Sequence, residues 1–268
     1  MMVRLLFVGN CSGGFVVKVT ALCALFLLLC AVCTAEETEY YDWKGMKLYN
    51  EKNYTGAIEY FKLAVGQDPG YIDSWIHLGN AYRAIKEYNK SLEAYRTALG
   101  INNMSADAWS GLCDTYSAMR DYVNATAASA RATELSPGNK GFWLREGNLL
   151  QVQGMFEESL PRYDRALEID PAYLDAKYRK CVALIAKGES AQALALLDEI
   201  TSANPNYKQA YNLKGLALEA SGKQVDALQA YDKALEIDPG YTQALSNKMH
   251  LLMALRKTTE AMQIFVRI

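Results

Sequence analysis

The sequence predicts an all-α fold: a right-handed α-solenoid of about seven helix-turn-helix repeats, preceded by an N-terminal hydrophobic signal or anchor helix. Three observations carry this. Pro69, Pro137, Pro171, Pro205 and Pro239 fall on a lattice of 34 residues, with Asn103 at the one gap. Small and large side chains recur at fixed places between these points, and an uncharged run, Val19 to Ala35, stands ahead of them. A period of this length marks stacked units that bury their apolar faces on one another.

The first element is residues 1–35. It holds Arg4 and Lys18 and no acid, and Glu36, Glu37, Glu39 and Asp42 follow it. Positive charge before an apolar run and negative charge after it place the N-terminus in the cytoplasm and the rest outside. The run of 17 residues lies between a signal-peptide core of roughly 7–15 and a spanning helix of about 20. Two readings therefore stand side by side. One is a signal peptide cut after Cys33-Thr34-Ala35; the other is a retained membrane anchor. Lipidation at Cys30 or Cys33 is disfavoured, because small residues do not precede Cys30 and Cys30 itself stands where Leu is usual before Cys33.

Residues 36–268 form the repeat domain, framed as 38–71, 72–105, 106–139, 140–173, 174–207, 208–241 and a partial 242–268. Position 8 is mostly small: Gly45, Gly79, Cys113, Gly147, Cys181, Gly215, then Met249. Position 24 is mostly large: Phe61, Tyr95, Tyr163, Leu197, Tyr231 and Phe265, with Ser129 the exception. Positions 4, 7, 8 and 11 share one face of a first helix, and 20, 24 and 27 one face of a second. Gly154, Gly188 and Gly222 stand where the first helix ends and a left-handed residue is wanted; Lys52, Lys86 and Arg120 occupy that place in the first three repeats. Each lattice Pro stops the second helix. Pro161 falls inside the second helix of the fourth repeat and predicts a mild kink.

These columns resemble the tetratricopeptide repeat family, best in the second repeat with Trp75, Leu78, Gly79, Tyr82, Tyr95 and Ala98. The resemblance covers residues 38–268. It implies a helical solenoid that binds extended or helical peptides on a concave groove lined by positions 2, 5, 9 and 12.

The groove positions change character along the chain. Early repeats supply Asp73, Asn80, Arg83, Asp107 and Asp114; the middle supplies Asn148, Gln151, Asp175 and Tyr178, with Arg145 and Arg179 beside them; late repeats supply Gln209, Asn212, Glu219, Gln243 and His250. The candidate binding residues are Asn80, Arg83, Asp114, Arg145, Asn148, Tyr178, Arg179 and Asn212. Arg145, Asn148, Tyr178 and Arg179 suit an anionic or carboxylate group best, through charge-assisted hydrogen bonds. The family's clamp for a C-terminal carboxylate is not matched: Ile76 or Leu144 stands where it needs Lys.

Catalytic chemistry is poorly provided for. The sequence holds no phosphate-binding glycine loop, nucleophile elbow or Cys/His metal spacing. Its two histidines, His77 and His250, fall in the second and seventh repeats and read as helix-surface residues. Cys113 and Cys181 read as buried structural thiols, with two repeats between them and no disulfide in reach. No enzyme, cofactor or metal is expected. A net charge of −2 argues against a nucleic-acid partner.

Three further expectations concern the surface. Asn53, Asn89, Asn103 and Asn124 begin Asn-X-Ser/Thr triplets at turns, candidates for N-glycosylation outside the cell; a fifth, Asn10, lies in the N-terminal segment. Fourteen Asn and 25 Ser plus Thr would give only about one such triplet by chance. The last repeat ends in Ile264, Phe265 and Ile268, expected to be partly uncovered and to stack on another copy or protein. The expected function is a non-catalytic interaction scaffold displayed outside a prokaryotic cytoplasmic membrane, or secreted, that holds a protein or peptide partner. Alternatives are a pilotin-like assembly factor for an envelope complex and an accessory subunit of an envelope glycosyltransferase.

Overall fold

A computed structural model describes residues 35–265; the N-terminal apolar segment and its cysteines, and Ile268, lie outside them. The described residues form fourteen helices and no strand: α1 (35–50), α2 (Tyr54–Gln67), α3 (Ile72–Ala84), α4 (Tyr88–Ile101), α5 (Ala106–Ala118), α6 (Tyr122–Leu135), α7 (Lys140–Val152), α8 (Phe156–Ile169), α9 (Leu174–Ala186), α10 (Ser190–Ala203), α11 (Lys208–Ala220), α12 (Gln224–Ile237), α13 (Thr242–Ala254) and α14 (Thr258–Phe265). From α2 onward, odd and even helices each restart every 34 residues. The chain divides into two compact units at Thr115/Tyr116, within α5.

In the first unit, Ala57, Ile58, Phe61 and Val65 of α2 pack with Leu78 and Ala81 of α3 and Ala94 of α4, and α1 covers them through Met46, Leu48 and Tyr49. Rings fit into places vacated by missing side chains. A Cβ on Gly45 would lie 2.5 Å from the Phe61 ring, and one on Gly79 2.8 Å from Tyr95. Tyr95 also lies against Gly111, where a Cβ would stand 2.2 Å away, so one ring is clasped by α3 and α5. Ser91 closes the same region with bonds to the Gly79 carbonyl (2.9 Å) and the Thr115 hydroxyl (3.0 Å).

The second unit repeats the plan. Tyr163 and Tyr231 are fully buried, over Gly147 and Gly215. Where the fifth repeat has Cys181 instead of Gly, the opposing residue is the smaller Leu197, and both are fully buried. Successive helices pack in sequence, and α7, α9, α11 and α13 also touch every second neighbour. Burial pushes the Cys181 thiol up to about 12. Cys113 and Cys181 are both buried and neither is in a disulfide, as the small-residue column requires.

Turn chemistry explains the lattice. After each odd helix one residue takes positive φ: Gly154, Gly188 and Gly222 at 77°, 82° and 74°, but also Lys52, Lys86, Arg120 and Arg256 at 59–65°. The following amide reaches five residues back, as Asn53 to Leu48 (2.9 Å) and Glu189 to Leu184 (2.8 Å), closing the orphan carbonyls of the helix end. After α2, α4, α8, α10 and α12 an Asx side chain folds onto the turn, as Asp68 Oδ1 accepting from Gly70 (2.8 Å) and Asp238 Oδ1 from Gly240 (3.0 Å); Ser136 holds that place after α6. Trp75, Trp109 and Trp143 pin the lattice residue by donating to the carbonyls of Pro69, Asn103 and Pro137 at 2.8–3.0 Å.

Helix α8 runs from Phe156 through Pro161 to Ile169; the carbonyl that Pro161 cannot serve belongs to exposed Glu157. Two expectations are corrected. Ile264 is buried with Leu252 and Ala261, while Phe265 is 64% exposed. Asn89 and Asn124 lie in the first turns of α4 and α6, not in loops.

Candidate peptide-binding faces

In the first unit, α3 and α5 line a cleft of about 300 Å³ with Asp73, Ile76, His77, Asn80, Asp107, Ser110, Gly111 and Asp114. Three of the eight candidate binding residues, Asn80, Arg83 and Asp114, thus meet in space. Asn80 Oδ1 accepts from the Tyr95 hydroxyl (2.9 Å) and from Arg83 Nη2 (3.1 Å), and Arg83 Nη2 lies 3.6 Å from Asp114 Oδ2. Burial pushes the Tyr95 phenol up to about 12, so it stays a donor. The Asn80 carbonyl oxygen is therefore committed to the protein, and only its amide nitrogen remains to offer a ligand.

His77 is not a plain surface residue. Its Nδ1 lies 2.9 Å from Asp42 Oδ1, which also accepts from Ser74 Oγ at 2.7 Å, and Asp42 is 8% exposed. This contact ties α1 to α3. The Asp42–His77 separation is 35 residues, one repeat plus one, and that offset was the sequence signal that would have paired them.

In the second unit, the rings of Tyr178 of α9 and Tyr207 lie side by side, centroids 5.6 Å apart and planes tilted by 35°. Burial raises both phenols above their ordinary range; the Arg179 charge works against that shift on Tyr178, on Tyr207 and on Tyr163. Arg179 therefore sits within electrostatic reach of three phenols while its own side chain is exposed. Tyr163 reaches from α8 to Asn148 Oδ1 (3.1 Å) and Gln151 Oε1 (2.6 Å). Tyr163 thus bonds Asn148 and feels the Arg179 charge, and Tyr178 precedes Arg179 on α9. Arg145 stands over the Phe142 ring, 5.9 Å from its centroid. Asn212 is 8% exposed and accepts from Asn247 at 2.9 Å, so it joins α11 to α13 rather than opening to a groove. His250 is exposed on α13.

The second unit also holds a depression of about 600 Å³ between α11 and α12, lined by Tyr211, Lys214, Asp226, Asp232, Lys233 and Glu236 among others. It was not foreseen, because its walls come from positions that alternate charge and carry no motif. Among the described residues, no group of three His, Cys, Asp or Glu could hold a metal ion, and no helix is long and apolar enough to cross a membrane.

Tetratricopeptide repeat family models match residues 79–119, 150–217 and 209–241. No curated protein matches the chain in sequence. Among solved structures, it is similar to YrrB, described as a TPR protein with an unusual peptide-binding site (23% identity, TM-score 0.63, covering 70% of this chain and 97% of that one). It is similar to a tetratricopeptide repeat protein from Parabacteroides merdae (14%, 0.69, 87% and 92%) and to PilW, a type IV pilus biogenesis factor (19%, 0.62, 72% and 90%). At these identities the likeness is one of fold. With family models matching in both units and a helix plan renewed every 34 residues, the chain is a tetratricopeptide repeat protein.

Proposed function

We propose that the protein is a non-catalytic scaffold that holds a partner by an extended, carboxylate-bearing peptide segment on the α7–α9 side of its second unit. The observation that supports this most is the Tyr178/Tyr207 ring pair beside exposed Arg179. Two aromatic faces offer an apolar platform at low entropy cost, and a guanidinium next to them supplies a bidentate partner for a carboxylate. Asn148 Nδ2 is placed to steady the peptide backbone. The acidic cleft of the first unit does not suit the same group.

We further propose that the repeat domain is displayed outside the cytoplasmic membrane, tethered by residues 1–35 or released by cleavage after Ala35. The charge pattern around that segment supports this. The test is crosslinking in intact cells, purification through a C-terminal tag and mass spectrometry of what is recovered. One discrete partner, lost at least tenfold in Arg179→Ala and Tyr178→Ala, is the expected result. Equal recovery by wild type and both variants removes the groove assignment. The partner's identity separates a client of the scaffold from a filament subunit, which marks an assembly factor, or a glycosyltransferase, which marks an accessory subunit. Protease added to intact cells should trim the repeat domain; a protected chain overturns outward display.

A further inference from the structure

We infer that the folded protein accepts N-linked oligosaccharide at Asn53 and Asn103, and not at Asn89 or Asn124, although all four begin the same triplet. This rests on the outward display proposed above. The acceptor motif needs two groups, the Asn amide and a hydroxyl two residues on. A transferase acting on the folded chain must reach both. All four Asn side chains are exposed. The hydroxyls separate them.

At Asn53 the hydroxyl partner, Thr55, is exposed and lies 3.3 Å from Asn53 Oδ1. Oδ1 also accepts from the Gly56 amide at 3.1 Å as the cap of α2. Both bonds use the oxygen, and Nδ2 makes no hydrogen bond among the described residues. Asn103 lies in the turn between α4 and α5, next to Met104, which is 69% exposed. Its backbone carbonyl is held by Trp109 and its side chain makes no hydrogen bond among the described residues; Ser105 is half-buried and its Oγ accepts from the Ala108 amide at 3.3 Å, a long bond that leaves the hydroxyl proton unspent, unlike that of Thr126.

Asn89 fails on its hydroxyl. Ser91 is fully buried, bonded to the Gly79 carbonyl and the Thr115 hydroxyl at 2.9 and 3.0 Å. Exposing it means pulling α4 off α3. Asn124 fails on both groups. Its Nδ2 donates to Asp121 Oδ2 at 2.7 Å. Thr126 Oγ1 donates to the Tyr122 carbonyl and accepts from Gln153 Nε2, both at 2.8 Å.

The transfer is a substitution at the anomeric carbon of a lipid-phosphate-linked oligosaccharide. The Asn Nδ2–carbon bond forms, the carbon–oxygen bond to phosphate breaks, the lipid phosphate leaves, and one amide proton passes to a base of the transferase.

The experiment is site-by-site glycopeptide mass spectrometry on the full protein purified from its own cells, together with protease treatment of intact cells. The expected result is occupancy at Asn53 and Asn103 and bare Asn89 and Asn124. Thr55→Ala should lose one glycan while keeping the Asn53 cap, Asn103→Gln should lose the other, and the double variant should carry none at unchanged helicity. Similar occupancy at all four sites would overturn the inference, since transfer would then precede folding. Bare Asn53 and Asn103 on a protease-accessible domain overturn the inference and leave outward display standing. A protease-protected domain overturns both.

Discussion

Seven turns of one geometry are filled by three glycines and four long cations. Gly154, Gly188 and Gly222 take positive φ at no steric cost, whereas Lys52, Lys86, Arg120 and Arg256 hold φ of 59–65° against their own Cβ atoms. Such a residue costs about 1 kcal/mol in that region, offset in part by the greater chain entropy that Gly loses on folding. Lys86→Gly should therefore stabilise the protein by up to about 1 kcal/mol, and Gly188→Ala should destabilise it by a similar amount. Urea midpoints of the two variants check this; a loss on Lys86→Gly would mean that its cation makes a contact worth more than the strain. The glycines under rings obey a different rule. A Cβ on Gly215 would meet the Tyr231 ring at 2.3 Å, so Gly215→Ala forces ring or backbone to move, at a cost of about 1–3 kcal/mol.

At the scale of one element, the last helix shows what the size pairing does when it fails. Each buried ring needs a small residue opposite, and the fifth repeat answers Cys181 with the smaller Leu197. The seventh repeat pairs Met249 with Phe265. Met249 packs into the local core with Leu245 and Leu252, and Phe265 is left 64% exposed. If Met249 is what keeps the ring out, Met249→Gly should let it in. With Phe265→Trp as reporter, emission should be that of an exposed indole in the Met249 background and shift to the blue in the Met249→Gly background. An unchanged spectrum would mean that Met249 is not what keeps the ring out. The loops carry a second element-scale pattern. Lys140 bonds Asp170 and Lys208 bonds Asp238, each at 2.5 Å, and the Lys hydrogen bond followed by a backbone amide holds both carboxyls below the usual range. A depressed carboxyl stabilises the fold above its unfolded value and loses that contribution as pH falls through the folded one. Acid unfolding of the wild type should therefore begin at higher pH-sensitivity below about pH 4 than in the Asp170→Asn, Asp238→Asn double variant, whose stability should change less across that window. Parallel acid titrations followed by circular dichroism decide it.

Across the whole molecule, helix order and turn positions were legible in the sequence because the 34-residue lattice repeats its caps, Asx turns and glycines in register. What was not legible is which polar side chains are spent inside. Asn80 and Asn148 share a column that suggests ligand contact, yet both give their oxygen to a core tyrosine from the helix that follows. That pairing depends on how far a phenol reaches across a helix pair, which a column of residue types does not state. Asn212 and His77 are spent on Asn247 and Asp42, one repeat and one residue away, an offset that is regular in the sequence but is not joined by comparing one column at a time. Stacks of this kind draw stability from nearest neighbours, so their parts open independently. In the second unit α11 buries six residues, while α14 buries Ala261 and Ile264. Amides of α14 should exchange with solvent on the scale of fraying termini, and those around Leu213 and Leu218 should be the slowest of the unit. Hydrogen-exchange mass spectrometry on the intact protein reads both directly. A gradient from α11 down to α14 fits additive stacking; uniform protection across the two helices would mean that the unit opens only as one cooperative block, and that the exposed Phe265 helix is held by something other than its own two buried side chains.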